Sequence, residues 1–354
     1  LAYRFHPPRR WDLIAFRSDD DPDYLEVKRV VGLPGERIAI RRGDVYVDGR
    51  IARKTLPQFR DTAVLVYDSG FEPLRTNGLP ARWRATADSN WTRVPEGFYR
   101  RSASQRSTEA DWLTYHHWRC FASPLPRTDE YAVLDNYGYN QDESRQLHRV
   151  GDMLLVARLR LEGARGGVAI RGYDGDDWLL VNLEFPAKRA SLYRSGHRVS
   201  TASLPAAAYA HEVKLEFALC DRQAILAVDE RTVISWAYES AEDAGDLRLA
   251  AERLDPPPPA RAIEKDDRTL AQSRPFGIAA DGLSLVVRRL QVFRDLHYLD
   301  PPGLGRDWSA PAPLGGGEVL VLGDNVPISR DSRHWQQPGV SRDRILGPVR
   351  PIGN

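Results

Sequence analysis

Short segments in which apolar and polar residues alternate run through most of this chain, and no convincing stretch has the 3.6-residue period of an amphipathic helix. Alternation with a period of two is typical of half-buried β-strands. Strands are predicted at residues 11–16, 24–31, 37–40, 44–47, 50–51, 153–161, 167–172, 178–185, 190–193, 213–219, 224–228, 233–237, 283–293, 318–322 and 345–349. The sequence therefore predicts an all-β fold.

The length of the chain predicts more than one domain. Single hydrophobic cores stop growing at about 250–300 residues, and this chain has 354. The residue pattern changes at about residue 60. Widely spaced tryptophans in polar sequence begin there and precede a long series of regular predicted strands. Strands with one buried face are expected in a two-sheet sandwich, so we expect two domains, with one of them a sandwich.

Charge and cysteine content limit the possible partners and cross-links. The formal net charge of +1 gives no reason to expect nucleic acid as a partner. Cys120 and Cys220 are too few for a disulfide framework, and one bridge or two free thiols both remain open. No stretch approaches the ~20 apolar residues of a membrane span. Because the chain begins at Leu1 rather than Met, we expect further sequence upstream.

Lys28 is one of only five lysines, and it lies in the middle of a predicted strand beside Val27 and Val30. Burial disfavours the charged form of an amine. A neutral amine can then take the proton from a serine hydroxyl, as a general base must. A strand lysine more commonly lies at a sheet edge with a solvated amine, so the pattern alone leaves both interpretations open.

Two segments resemble the signal peptidase I family. Residues 27–36 (VKRVVGLPGE) are similar to its lysine box, and residues 323–333 (GDNVPISRDSR) are similar to its C-terminal box. Residues 9–16 (RRWDLIAF) are a weaker match to the segment before the lysine box, with Trp11 where glycine is usual. The resemblance implies a β-barrel-like catalytic domain, in two parts at residues 1–56 and 299–354.

The same resemblance implies a role for each residue of the two boxes. Lys28 would be the general base, Ser329 would orient its amine by a hydrogen bond, and Asp331 and Arg333 would form a supporting ion pair. Structural turns are expected at Gly32, Pro34, Gly35, Gly323, Asp324 and Asn325. This mechanism needs no cofactor and no metal.

The family's serine nucleophile is expected in a Ser-Met-x-Pro motif upstream of the lysine box, and no such motif precedes Lys28. We therefore expect the serine to lie upstream of Leu1 and this chain alone to be inert as a protease. The resemblance implies signal peptides of exported preproteins as substrates. It also implies a catalytic domain on the extracytoplasmic face of the cytoplasmic membrane, tethered by a segment outside this chain.

The two boxes lie far apart, so residues 57–298 are predicted to be an inserted domain. Their strand pattern resembles concanavalin A-like, laminin G-type jelly rolls, which implies a possible glycan or protein ligand. Trp178 and Tyr193 could stack on such a ligand or complete the core. Zinc at His116 and His117 is rejected because adjacent strand residues face opposite ways. Residues 174–177 (DGDD) are interpreted as an acidic turn rather than a calcium site.

Two other functions remain open. The chain could be a binding protein on a peptidase scaffold that has lost its nucleophile, with the sandwich binding carbohydrate or protein in the cell envelope. A glycan-processing enzyme is a further alternative, and it would need a pair of carboxylates about 5–9.5 Å apart.

Overall fold

The computed structural model describes residues 7–18, 23–72, 79–85, 89–94, 99–101, 111–121, 127–140, 145–162, 166–209, 212–239 and 268–349. Strands dominate these residues, and the strand pairs between them are antiparallel. The predicted all-β fold class is confirmed.

Twenty-six strands occur in the described residues. The first twelve are β1 Leu13–Arg17, β2 Leu25–Gly32, β3 Ile38–Arg41, β4 Asp44–Val47, β5 Arg50–Ile51, β6 Val64–Asp68, β7 Trp83–Arg84, β8 Trp91–Arg93, β9 Tyr99–Arg101, β10 Leu113–Tyr115, β11 Trp118–Phe121 and β12 Arg127–Glu130. The others are β13 Met153–Leu161, β14 Gly167–Tyr173, β15 Trp178–Glu184, β16 Arg189–Arg194, β17 His197–Ser203, β18 Glu212–Cys220, β19 Gln223–Val228, β20 Arg231–Ala237, β21 Phe276–Asp281, β22 Leu285–Arg294, β23 Trp308–Ser309, β24 Glu318–Leu322, β25 Gly339–Ser341 and β26 Ile345–Pro348.

Helices are few and short in the described part of the chain. The α-helices are α1 Leu56–Thr62 and α2 Arg268–Ser273, and single 3₁₀ turns occur at Ser69–Phe71, Ala206–Tyr209 and Arg342–Arg344. Within that part, neither the seven residues of α1 nor the six of α2 make a helix long and apolar enough to cross a bilayer.

The chain divides into two compact units. One unit comprises Leu1–Thr62, Asp135–His148 and Leu296–Asn354, and the other comprises Ala63–Leu134 and Arg149–Asp295. We call the first the terminal unit and the second the sandwich unit. The sequence-based limits of the insert, residues 57 and 298, lie slightly outside the sandwich unit. Asp135–His148 groups with the terminal unit, which the sequence did not indicate.

The sandwich unit has two large antiparallel sheets. One has the strand order β17-β16-β15-β14-β21-β10-β7, and the other has the order β20-β19-β18-β13-β22-β9-β8, with β6 also paired to β22. Alternate residues of both sheets join one buried apolar cluster, including Val168 and Ile170 of β14 and Leu155 and Leu159 of β13. Burial of this apolar area is the main favourable term in such a fold.

The terminal unit contains a five-stranded sheet of order β25-β24-β2-β1-β26 and a four-stranded sheet of order β23-β3-β4-β5. The described strands of this unit form open sheets rather than a closed barrel. Residues of the larger sheet, including Ile14, Phe16, Val30 and Val321, form one buried apolar cluster. That sheet brings β2 from the lysine box next to β24, which leads into the C-terminal box.

Trp11 is outside β1, contrary to the sequence-based strand at residues 11–16. Its φ is +76°, a conformation that costs a bulky residue energy and is easiest for glycine. The ring is nevertheless buried, and Lys54 Nζ lies 4.5 Å from its centroid. The positive φ explains why glycine suits this position. In this chain, burial of the Trp11 indole offsets the energetic cost of that backbone conformation.

The cysteines do not pair. Cys120 is exposed, Cys220 is buried, and both thiols are free.

Candidate active site

Strand β2 carries Lys28 next to an open sheet edge. On one side β2 pairs with β1 from Leu25 to Arg29, and Lys28 lies opposite Ile14. On the other side it pairs with β24 only from Arg29 to Gly32. Residues 25–28 therefore have no partner strand on that side among the described residues, and an extended peptide could pair there.

The amine of Lys28 is largely shielded from solvent and has a carboxylate beside it. Its side chain is 15% exposed, and Nζ lies 3.4 Å from Oε2 of Glu26, which is 14% exposed. Residues two apart on a strand project to the same face, which explains this pairing. No role was predicted for Glu26 from the sequence. Its spacing of two residues from Lys28 on a predicted strand could have indicated that the two side chains share a face.

Gly323 separates Lys28 from Ser329. A β-carbon at Gly323 would lie 2.0 Å from Ser329 Oγ and 3.6 Å from Lys28 Cδ. The absence of a side chain at this position therefore leaves room for both groups. Gly323 directly follows β24, whose pairing with β2 fixes the distance between the two boxes. The structure thus brings Lys28 and Ser329 together from opposite ends of the sequence.

Both side chains line a pocket of about 620 Å³. Its wall also includes Glu26, Tyr24, Val27 and Ile328. The last three are among the most exposed apolar residues of the molecule, at 62%, 47% and 63%. An open pocket with an apolar rim and a few polar groups at its base is the usual form of a ligand site.

The hydroxyl of Ser329 is buried and makes no hydrogen bond to any residue that the structure describes. The bond to the Lys28 amine that the family resemblance implies is therefore not formed in this conformation. A buried hydroxyl without a partner costs free energy, so its presence next to Lys28 needs another explanation than stability.

Asp331 and Arg333, which follow the pocket residue Ser329 in the sequence, form a buried bidentate ion pair. Nε of Arg333 donates to Oδ1 of Asp331 at 2.8 Å, and an Nη donates to Oδ2 at 2.7 Å. The side chains are 0% and 1% exposed. Burial opposes ionisation of the Asp331 carboxyl, but His334 and Arg333 outweigh it and hold the pKa of Asp331 well below its usual range.

This ion pair holds the start of the C-terminal box. The Gly323 amide donates to Asp331 at 2.9 Å. The Arg333 guanidinium also donates to the carbonyls of Leu299 and Val326. The pair therefore fixes the backbone on both sides of Ser329.

A second guanidinium, that of Arg29, holds Asp324. Nε and Nη2 of Arg29 donate to the two carboxylate oxygens at 2.9 and 2.6 Å. Its Nη1 donates to the carbonyl of Trp11 at 2.8 Å. Burial opposes the charge on Arg29, but the hydrogen bonds and the charge of Asp324 raise its pKa. Arg29 belongs to the lysine box at residues 27–36, yet no role was predicted for it.

The turn after β2 has the residues that the sequence singled out. Gly35 has a φ of +84°, which favours glycine. A β-carbon on Gly32 would lie 2.7 Å from Ile38 and 2.9 Å from both Leu314 and Leu320. Pro34 lies between these glycines in a tight turn, and Asp324 and Asn325 occupy the bend after β24.

In the sandwich unit, the aromatic and histidine candidates have local partners. Trp178 packs on Tyr173 with ring centroids 5.3 Å apart, and Tyr193 is half-buried on β16. Nδ1 of His116 lies 2.7 Å from a Glu130 oxygen. Burial lowers the pKa of His117 to about 3.

The acidic segment 174–177 is a turn. Oδ1 of Asp174 accepts hydrogen bonds from the amides of Asp176 and Asp177. Aspartate side chains commonly stabilise turns by accepting such bonds from nearby backbone amides.

Comparison with known proteins supports a peptidase function in general terms. A family described as "Signal peptidase, peptidase S26" matches residues 1–107. Signal peptidase I of Bacillus caldolyticus is 48% identical over 50 residues, which cover 14% of this chain and 26% of that protein. Probable signal peptidase I-1 of Synechocystis sp. is 34% identical over 82 residues, covering 19% and 40%. The chain thus spans between a quarter and two fifths of the length of these two relatives.

Similar solved structures are β-rich but only distantly alike. A Bacillus subtilis protein of unknown function with a galectin-like fold overlaps 66% of this chain and 97% of its own, at 10% identity and a TM-score of 0.36. Bacillus licheniformis β-glucanase overlaps 64% and 96%, at 9% identity and a TM-score of 0.33. At these scores, the sandwich description depends on the observed strand pairing alone.

Proposed function

We propose that this chain is part of a signal peptidase I-like, membrane-associated serine endopeptidase that removes signal peptides from exported preproteins. In this proposal Lys28 is the general base, and the serine nucleophile comes from sequence upstream of Leu1. The catalytic domain works on the extracytoplasmic face of the cytoplasmic membrane. The observation that carries the proposal is that Lys28 and the Ser329 hydroxyl, which bonds no described residue, lie on either side of Gly323.

The chemistry requires the Lys28 amine to be neutral when it acts. It takes the proton from the serine hydroxyl as the serine oxygen bonds to the scissile carbonyl carbon. The resulting ammonium returns that proton to the departing amine as the peptide C–N bond breaks. Water then attacks the acyl ester, giving up a proton through Lys28 and releasing the serine.

Ser329 is proposed to orient this amine. In the structure the amine faces Glu26 at 3.4 Å, so the Lys28 side chain must turn about its terminal bonds to reach Ser329 Oγ. A hydroxyl already buried beside the Lys28 stem, and bonded to no other described group, is placed to accept or donate that bond. Asp331 and Arg333 would keep the hydroxyl in position, as supporting groups in active sites generally must.

The substrate is proposed to bind as an extended strand along residues 25–28 of β2. Main-chain hydrogen bonds to a sheet edge supply affinity in this binding mode, and adjacent pockets supply specificity. The exposed side chains of Tyr24, Val27 and Ile328 at the pocket rim would contact the apolar part of a signal peptide.

The test uses the full-length protein encoded by the gene, incubated with a preprotein that carries a signal peptide. We expect Lys28→Ala to lower the cleavage rate by about two to four orders of magnitude, as loss of a general base does. Lys188→Ala, at an exposed lysine of the sandwich unit, should cleave at the wild-type rate. Undiminished cleavage by Lys28→Ala would refute the base assignment. Absence of cleavage by the wild type would favour the alternative of a binding protein on a peptidase scaffold.

A further inference from the structure

A loop from the middle of the sequence belongs to the terminal unit and contacts the C-terminal box. We call Asp135–His148 the strap, of which the structure describes residues 135–140 and 145–148. It groups with the two ends of the chain, although its neighbours Leu134 and Arg149 belong to the sandwich unit. The two boxes of the family resemblance do not include it, and the sequence assigned no function to it.

The two ends of the strap are held together by Asp135. The Asp135 amide donates to the His148 carbonyl at 3.0 Å, and the Asp135 carboxylate accepts from the His148 amide at 2.8 Å. Arg145 Nη1 donates to the same carboxylate at 2.8 Å. The Asp135 side chain is 2% exposed, and buried charge-assisted hydrogen bonds of this kind are strong. The base of the strap is therefore a fixed support.

From this base, two strap side chains reach the loop that carries Ser329. The Tyr137 hydroxyl donates to the Asp324 carbonyl at 2.8 Å. Nδ2 of Asn140 donates to Oδ1 of Asn325 at 2.6 Å. The carbonyl of Asn325 in turn accepts the Ser329 amide at 3.0 Å. One hydrogen-bonded chain thus runs from the strap to the backbone of Ser329.

We propose that Tyr137 and Asn140 are positioning residues for the Ser329 hydroxyl, so that a segment outside both boxes completes the site. The inference deepens the proposed function and depends on it for its catalytic meaning. The strap holds Asp324 and Asn325 by hydrogen bonds in addition to their covalent connection to β24. Ser329 lies four residues beyond Asn325. Small misplacements of a group that acts on the reacting atoms reduce turnover strongly.

The experiment compares Tyr137→Phe, Asn140→Leu and Asn140→Asp in the full-length protein. The first two remove a donor while keeping the size of the side chain. Asn140→Asp is the conservative variant, because the Asn325 carboxamide can turn and donate to the new carboxylate. Tyr131→Phe makes the same chemical change outside the strap and serves as the control.

Two measurements separate positioning from general stability. Amide hydrogen exchange of the peptide covering residues 325–330 should become roughly three- to tenfold faster in Tyr137→Phe and Asn140→Leu, since each loses one net hydrogen bond. Signal peptide cleavage should show a similar loss in kcat with KM within about twofold. Asn140→Asp should restore both values toward the wild type, and Tyr131→Phe should change neither.

The outcomes distinguish this inference from the proposed function. Unchanged exchange at residues 325–330, or faster exchange with an unchanged kcat, overturns the inference. Failure of Asn140→Asp to recover relative to Asn140→Leu also contradicts it. If the wild type itself cleaves no preprotein, the proposed function fails. The exchange data alone then test whether the strap positions the loop that carries Ser329.

Discussion

Two lysines of this protein lie within β-strands with a glutamate two residues away, one in each compact unit. Lys28 of β2 lies 3.4 Å from Glu26, and Lys214 of β18 lies 3.4 Å from Glu216. Their side chains are similarly shielded, at 15% and 17% exposure. Burial and an adjacent carboxylate therefore do not by themselves mark a catalytic lysine.

The surroundings of the two amines differ. Lys214 also contacts Glu230 at 3.2 Å, so it bridges two carboxylates. Lys28 instead borders a pocket in which a buried serine hydroxyl has no hydrogen-bond partner among the described residues. The two lysines therefore differ in the pocket and in the neighbouring serine hydroxyl, rather than in burial or in having a carboxylate partner.

The largest expected effect comes from changing both lysines in the same way. Lys28→Met should lower signal peptide cleavage by about 10²- to 10⁴-fold and change the free energy of unfolding by less than about 1 kcal/mol. Lys214→Met should leave cleavage unchanged and cost about 1–3 kcal/mol, because Glu216 is 1% exposed and loses an ammonium partner. Cleavage assays and urea unfolding of both variants check this. Equal effects of both variants on cleavage would contradict the assignment of Lys28 as the general base.

Next in size is the loss of a buried ion pair in the terminal unit. Arg333→Met should cost about 3–5 kcal/mol of unfolding free energy, because it leaves the Asp331 carboxylate buried without its guanidinium. Arg127→Met, which breaks an exposed pair with Asp129, should cost less than about 1 kcal/mol. Urea denaturation measures both. If Arg333→Met costs less unfolding free energy than the control Arg127→Met, the buried pair does not support the loop.

The same pair predicts a pH dependence of stability. The pKa of Asp331 is lower in the folded protein than its ordinary value of 3.8, so the unfolded chain binds the proton more tightly. The stabilisation is complete above that ordinary value and is lost as the pH falls toward the lower folded pKa. Urea unfolding between pH 6 and 2 should show this loss, and it should be weaker in Asp331→Asn. Asp176→Asn, at an exposed turn position, is the control, and an equal slope in both variants would contradict the assignment.

The smallest expected effect on stability comes from removing the Ser329 hydroxyl. Ser329→Ala should leave the free energy of unfolding unchanged or raise it by up to about 1 kcal/mol, because it removes a buried hydroxyl that bonds no described residue. Thermal and urea unfolding both report this quantity. A clear loss of stability would show that the hydroxyl has a structural role.

Much of the fold could be predicted from the sequence where apolar and polar residues alternate regularly. The strands β4, β5, β13 and β24 have the predicted bounds. Strand β17 was not predicted, because its residues are polar and largely exposed at a sheet edge. The strand predicted at residues 11–16 begins late because Trp11 adopts a positive φ, which residue type alone would not indicate.

Some residues of the candidate site could be predicted from the sequence, and others could not. Lys28, Ser329, Asp331 and Arg333 were found through local resemblance, and their catalytic roles stay predictions. Glu26, Tyr137 and Asn140 were not found, since a polar residue acquires its meaning only from the neighbours that the fold supplies. The strap contacts in particular join residues that are far apart in the chain, so no local pattern could predict them.

Single-turnover cleavage of a preprotein by the full-length protein shows whether Lys28 and Ser329 act as one unit. The rates of wild type, Ser329→Ala, Lys28→Ala and the double variant form a cycle. We predict a slower rate for Ser329→Ala, a far slower one for Lys28→Ala, and no further loss in the double variant. A Ser329→Ala rate equal to wild type, or losses that simply multiply in the double variant, would contradict the account.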